Sequence, residues 1–133
     1  MIEYKMIKDF NEQDLEDLFL SVKWSSGKYP AKLKIAMKNS DTVISAWDGN
    51  KLVGLMNALS DKIMTAYFHY LLVRPEYHDQ GIGKLLVKKM LEHYDSYARK
   101  ILIAYEAETE FYQKCGFEVH NDKKPMFITF LTT

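Results

Sequence analysis

Cysteine is almost missing: Cys115 stands alone among 133 residues. An internal disulfide is excluded, and such usage fits a reducing compartment. Proline occurs only three times, at well-separated positions, and glycine six times, so no linker or low-complexity tract divides the chain. Net charge is missing as well, because 18 basic side chains balance 18 acidic ones. A dedicated nucleic-acid binder carries a basic excess. No apolar run approaches the roughly 20 residues of a membrane span. The start, Met1-Ile2-Glu3-Tyr4-Lys5, is strand-like and mixed in charge, unlike a signal peptide. His69, His78, His93 and His120 show no metal-ligand spacing with the lone cysteine, and no G-x-S-x-G elbow of a serine hydrolase occurs. What is plentiful is apolar surface: 47% of residues are hydrophobic and 14% aromatic. The expectation is one cytoplasmic domain over residues 1–133, with no metal, membrane or nucleic-acid partner.

Periodicity supplies the elements. Residues 2–8 read as a strand. Asn11 can cap a helix carrying Leu15, Leu18, Phe19 and Val22 on one face. Residues 24–29 break that helix, and Pro30 suits the first turn of the next. Residues 42–47, 51–59 and 66–73 read as strands, the first two joined by the hairpin turn Asp48-Gly49-Asn50-Lys51. Residues 83–94 form the clearest amphipathic helix. Residues 99–105 read as a buried strand, and 109–115 as a short helix stopped by Gly116. Residues 117–120 and 126–131 are expected to close the sheet. The order is β-α-α-β-β-β-α-β-α-β-β, an α/β mixed sheet with helices on both faces.

The segment His78, Asp79, Gln80, Gly81, Ile82, Gly83, Lys84 joins a strand to that clearest helix. A helix start offers unpaired N–H groups and partial positive charge, and glycines let a ligand approach the main chain. The spacing satisfies neither a phosphate-binding G-x-x-x-x-G-K-[ST] loop nor a dinucleotide G-x-G-x-x-G fingerprint. Alone, the pair Gly81 and Gly83 is equally what a tight strand-to-helix turn uses. The surrounding run Val73-Arg74-Pro75-Glu76-Tyr77-His78-Asp79-Gln80-Gly81-Ile82-Gly83 resembles motif A of the GNAT N-acetyltransferase superfamily. A second signature, Phe111-Tyr112-Gln113-Lys114-Cys115-Gly116-Phe117, is similar to that family's F-Y-x-K-x-G-F. His78 departs from the usual Gln or Arg, and its charge depends on pH.

The resemblance implies the GNAT acyl-CoA N-acyltransferase fold and acetyl-CoA as cosubstrate. It implies that amides from Gln80 through Lys84 receive the pyrophosphate. It further implies that the pantetheine arm pairs with Leu71, Leu72 and Val73 like an added strand, an amide near Leu72 polarising the acetyl carbonyl. Acetyl transfer needs a neutral amine, an oxyanion donor and a proton for the departing thiolate. Tyr112 matches the tyrosine that commonly serves as general acid in the family. With a reference value of about 10, close to the thiol's 8.5, transfer would cost little. His69 on the central strand is a candidate base, or simply a core histidine, and Tyr70 beside it is expected to point the other way. Glu106 and Glu108 are further candidate bases, or carboxylates favouring the start of the following helix. Cys115 reads as structural, for want of a partner that would lower its pKa. Trp24 and Tyr29 bracket a polar-aromatic loop that is either a lid over the acceptor or a helix connector. The short chain points to a small-molecule amine, with a peptide amine as the other class, and the resemblance allows a homodimer. A weakly catalytic acyl-CoA-binding regulator and a ligand-free dimerisation domain are the alternatives.

Overall fold

The computed structural model describes residues 1–132. Five strands form one sheet: β1 (Ile2–Lys5), β2 (Thr42–Asp48), β3 (Lys51–Ser60), β4 (Thr65–Val73) and β5 (Arg99–Leu102). They lie side by side in chain order, antiparallel except for the parallel β4–β5 pair. The parallel pair requires a crossover, and α3 (Ile82–His93) supplies it. The other helices are α1 (Glu12–Ser21), α2 (Pro30–Asn39) and α4 (Thr109–Lys114).

Local chemistry sets the helix starts. The Asn11 side chain accepts the Asp14 N–H at 2.8 Å, satisfying one of the orphan donors of α1. Pro30 occupies the first turn of α2, where its missing N–H costs nothing. Gly81 opens α3 at φ +78°, a left-handed conformation that a Cβ would strain.

Two cores result, one on each face of the sheet. Leu15, Leu18 and Phe19 of α1, with Leu33 and Met37 of α2, bury against Val43, Leu55 and Leu72. Ile82, Leu86, Val87 and Met90 of α3 bury against Ile44, Met56, Ala66 and Phe68. Covered on both sides, β2 and β3 are buried along almost their whole length. Each fully buried Leu or Phe contributes roughly 1.5–3 kcal/mol.

A polar clasp ties the start of β2 to the end of α3. Asp41 accepts from the Tyr94 hydroxyl at 2.5 Å, from Ser60 at 2.8 Å and from Lys62 at 2.9 Å. The Tyr94 hydrogen bond, aided by those from Lys62 and Ser60, holds the Asp41 carboxyl down at about 2. A folded-state value below the unfolded one, near 3.9, gives stability that is present above pH 4 and lost as pH falls toward 2. After allowance for solvent screening, about 1 kcal/mol rides on this group. Urea titrations between pH 5 and pH 2 should show Asp41→Asn losing less stability than the native chain by that amount. Parallel losses in the two proteins would contradict the assignment.

The sequence expectation differs from the structure at the C-terminal end. β5 stops at Leu102 rather than reaching 105, and its side chains are exposed or half-buried. The two closing strands expected at 117–120 and 126–131 are not formed, and no strand follows α4 among the described residues. β5 is too short an edge to template them. A strand over 126–131 would also carry apolar side chains on both faces, and Met126, Phe127, Ile128 and Phe130 are instead exposed. Phe117 turns its ring onto Phe68 and Tyr112 at 6.2 and 6.0 Å. Farther on, Phe130 meets Tyr29 at 6.2 Å, and the Thr132 N–H donates to Ser25 at 2.7 Å. β1 likewise ends at Lys5, three residues before the expected boundary of 8.

Candidate active site

The site begins with an irregularity in β4. Met56 pairs with Leu71 and Ala58 with Phe68, so His69 and Tyr70 together face the single residue Asn57. That is a β-bulge, and it reverses the facing of everything beyond it. Ala66 and Phe68 pack toward α3, whereas Tyr70 and Leu72, at the same parity, pack toward α1. The expected opposition of His69 and Tyr70 therefore fails. Their rings lie 4.2 Å apart on one side, because two residues share one pleat. The bulge also leaves the Tyr70 N–H without a ladder acceptor, and the buried Asn57 side chain accepts it at 2.8 Å. Asn57 in turn donates to Ser40 at 3.1 Å, and Ser40 to the Ala36 carbonyl of α2 at 2.8 Å. A buried relay thus fixes the bulge.

On the α1 side, the bulge feeds an aromatic cluster. Tyr70 meets Phe19 edge-on at 4.9 Å and Trp24 at 5.9 Å, while its hydroxyl pairs with Ser26 at 2.9 Å. The 24–29 segment forms one short 3-10 turn at Ser25–Lys28, with Trp24 packed on the core and Tyr29 exposed at its end. His69 lies between Tyr67 and Tyr70, with Nδ1 3.2 Å from the Tyr67 hydroxyl. One edge of His69 remains exposed, yet partial burial moves its pKa below the usual 6.5. The ring is therefore neutral at neutral pH.

Beyond the bulge, β4 has an open edge. Its pairing with β5 ends at Phe68–Leu102, whereas its pairing with β3 continues to Val73–Gly54. The Arg74 N–H bonds the Val53 carbonyl at 2.8 Å. Since amide direction alternates along a strand, the Leu72 N–H also turns toward β3. The amides on the open edge belong to Leu71 and Val73, the two neighbours of Leu72, near which the resemblance puts the oxyanion donor.

The open edge leads into the glycine turn. His78, Asp79, Gln80 and Gly81 are all exposed, and Asp79 (φ +65°) precedes Gly81 closely in positive φ. The first α3 bond runs from Leu85 N–H to Gly81 carbonyl, so the amides of Ile82, Gly83 and Lys84 have no acceptor within the helix. At Gly54 a Cβ would stand 3.3 Å from Ile82, so this glycine lets the helix start sit close to the sheet. His78 is placed differently from the expectation. Its Nε2 donates to the Val73 carbonyl at 2.8 Å, so the imidazole fastens the loop to the strand end.

The second signature docks beside the first. A Cβ on Gly83 would lie 3.6 Å from the Phe111 ring and 3.9 Å from Val73, so helix start, strand end and α4 meet there. Tyr112 is half-buried on the α3 side with Leu71 and Val73, its ring against Phe111 and Phe117. Burial, then Glu108 and Cys115, push its phenol up to about 12. No protein hydrogen bond holds its hydroxyl among the described residues. Cys115 is a free thiol, and burial raises its pKa despite Lys84, so it stays protonated and inert. Glu106 lies exposed in a short turn before α4, and no hydrogen bond or ion pair joins it to His69 among the described residues.

The site therefore has a helix start with three amides that lack intrahelical acceptors, a bare strand edge, and a candidate acid and base on opposite sheet faces. Asn57 and Tyr67 were not anticipated. An Asn inside the apolar run of β3 was the available signal for the first, while Tyr67 offered none beyond its two-residue spacing from His69.

These features define an α/β protein with a mixed five-stranded sheet and an open strand edge beside a helix start. The family described as "Acetyltransferase (GNAT) domain" matches residues 7–126, and the chain belongs to that family. An uncharacterized N-acetyltransferase ycf52 of Pyropia yezoensis is 36% identical over 129 residues, covering 87% of this chain and 72% of that protein. A histone acetyltransferase TAP1 of Glycine max is 32% identical, covering 83% of this chain and 53% of the relative. The chain thus spans between about half and three quarters of these two relatives. A GNAT family protein from Streptococcus pneumoniae superposes with a TM-score of 0.84 at 27% identity, covering 98% of this chain and 99% of the other.

Proposed function

We propose that the protein transfers the acetyl group of acetyl-CoA to a primary amine, by direct attack of the amine on the thioester. The observation that carries this reading is a pair of main-chain donor groups, one at each end of the 74–81 connection, that no protein acceptor takes among the described residues. The first comprises the Leu71 and Val73 amides on the open edge of β4, the second the amides of Ile82, Gly83 and Lys84 at the start of α3. An extended amide-bearing arm can pair with such an edge like an added strand, and a diphosphate suits such a helix start. Lys84, Lys88 and Lys114 line a hollow of about 350 Å³ beside that helix together with Glu92 and Asp95, and the lysines would supply cations to a further phosphate of the cosubstrate.

The chain's own groups then divide the chemistry. The Leu71 amide donates to the carbonyl oxygen as it gains charge. His69 Nε2 takes a proton from the attacking nitrogen on the α1 side. Tyr112 donates to the sulfur as the C–S bond breaks on the α3 side. With Tyr112 at about 12, full transfer to a thiolate of ordinary pKa spans about 3.5 units, or about 5 kcal/mol. The same apolar surroundings raise the thiolate's own affinity for a proton, and Tyr112 acts first as a hydrogen-bond donor to the departing sulfur.

The acceptor would lie over Tyr67, His69, Tyr70 and Trp24, a neutral aromatic floor suited to a small amine. Thiol release from acetyl-CoA over a panel of small primary amines and lysine- or N-terminal-amine peptides tests this directly. Amine-dependent release is expected, the small amines preferred, with CoA raising the thermal midpoint. Binding of CoA without amine-dependent release would leave only an acyl-CoA-binding regulator, and no CoA-induced shift would reject the cleft altogether.

A further inference from the structure

The pairing of His69 with Tyr67 is used by neither the fold nor the transfer step as described. Tyr67 and His69 lie on the α1 side of β4, on the strand side of the bulge, and their rings are 5.4 Å apart. The Tyr67 hydroxyl is 3.2 Å from Nδ1, and no other hydrogen bond to the imidazole exists among the described residues. The remaining ring nitrogen, Nε2, has no protein hydrogen-bond partner among the described residues, and His69 as a residue is exposed. The Tyr70 ring lies 4.2 Å from the imidazole at a tilt of 53°, and its backbone N–H is held by the Asn57 relay. The imidazole thus packs against one tyrosine ring and meets the hydroxyl of the other at one nitrogen.

We propose that Tyr67 is a positioning residue for His69: its oxygen accepts Nδ1–H, leaving the Nε2 lone pair directed at the acceptor amine. This rests on the reading of His69 as the proton acceptor. The step balances without a further reactant. Nε2 gains the proton that the attacking nitrogen loses, the imidazolium keeps its Nδ1–H on Tyr67, and the proton then passes to solvent. The opposite tautomer would place a hydrogen on Nε2 and abolish its capacity to accept.

The groups facing His69 are few. Tyr67 and Tyr70 flank it on its own strand, Asn57 sits behind from β3, and Phe19 and Trp24 approach Tyr70 from the α1 side. Partial burial is the only cause found for the lowered His69 pKa, and no carboxylate or ammonium enters it. Stabilising the imidazolium therefore falls to the neutral Tyr67 oxygen.

Nitrogen-15 NMR of the neutral imidazole reads the tautomer without any turnover. The native chain is expected to carry the proton on Nδ1, and Tyr67→Phe, which keeps the ring, to shift it toward Nε2. In kinetics, Tyr67→Phe should lower kcat about tenfold with KM for acetyl-CoA unchanged. The acidic limb of kcat/KM should move to lower pH, since the imidazolium loses an acceptor. A native Nε2–H tautomer overturns the proposal. So does a Tyr67→Phe enzyme with native kcat and acidic limb while His69→Gln is impaired, an outcome that leaves the base reading standing. Native turnover in His69→Gln removes the base reading and this proposal with it.

Discussion

Tyr112→Phe is expected to lower kcat by about 100-fold, at the low end of what a positioned proton donor contributes, while leaving affinity for CoA nearly unchanged. The side chain has a half-buried ring with a phenol pushed up to about 12. Phenylalanine reproduces its packing on Phe111 and Phe117, so only the hydroxyl is lost. That hydroxyl has no protein partner among the described residues, so its removal strands no buried group and costs the fold little. The loss should be confined to the step in which sulfur departs. It should shrink with a thioester whose leaving thiol is more acidic, because such a thiolate needs less help. The titration adds a second check. A phenol at about 12 stays protonated across the ordinary assay range, so no basic limb between pH 8 and 10 should belong to Tyr112. A kcat within twofold of native would remove Tyr112 from the chemistry.

Much of this site was legible in the sequence because it is written in main chain. Glycine spacing, the strand-to-helix boundary and the F-Y-x-K-x-G-F-like helix depend on local rules, and these elements appear where periodicity puts them. What sequence could not show is non-local. The bulge exists because Asn57, on another strand, accepts the Tyr70 N–H and is itself held by Ser40 at the end of α2. Simple alternation therefore put Tyr70 on the wrong side of the sheet. His78 illustrates a second limit. Its residue type suggests a ligand donor, but the partner that takes its Nε2 is a carbonyl five residues back. The closing strands failed for a third reason: their apolar content is strand-like, but a strand also needs an edge long enough to pair with, and β5 has four residues.

The two loop glycines separate the needs of the fold from those of the ligand. At Gly81 the backbone sits at φ +78°, so Gly81→Ala should destabilise the protein by about 1–2 kcal/mol whether or not CoA is present. Gly83 is in ordinary helical geometry, and a Cβ there meets Phe111 and Val73 at 3.6 and 3.9 Å, normal contact distances. Alanine is also the better helix former, by up to about 1 kcal/mol. Nothing in the folded chain therefore demands glycine at 83. The direction of that Cβ, between the end of β4 and α4, is the direction from which a ligand would reach the amides of Ile82, Gly83 and Lys84. Gly83→Ala is accordingly expected to match or exceed the native thermal midpoint while binding CoA roughly 10- to 100-fold more weakly, about 1.4–2.7 kcal/mol. Calorimetric titration with CoA, run beside thermal melts of both variants, reads the two effects separately. If Gly83→Ala binds CoA as tightly as the native chain, the helix start is only a turn, and the diphosphate lies elsewhere.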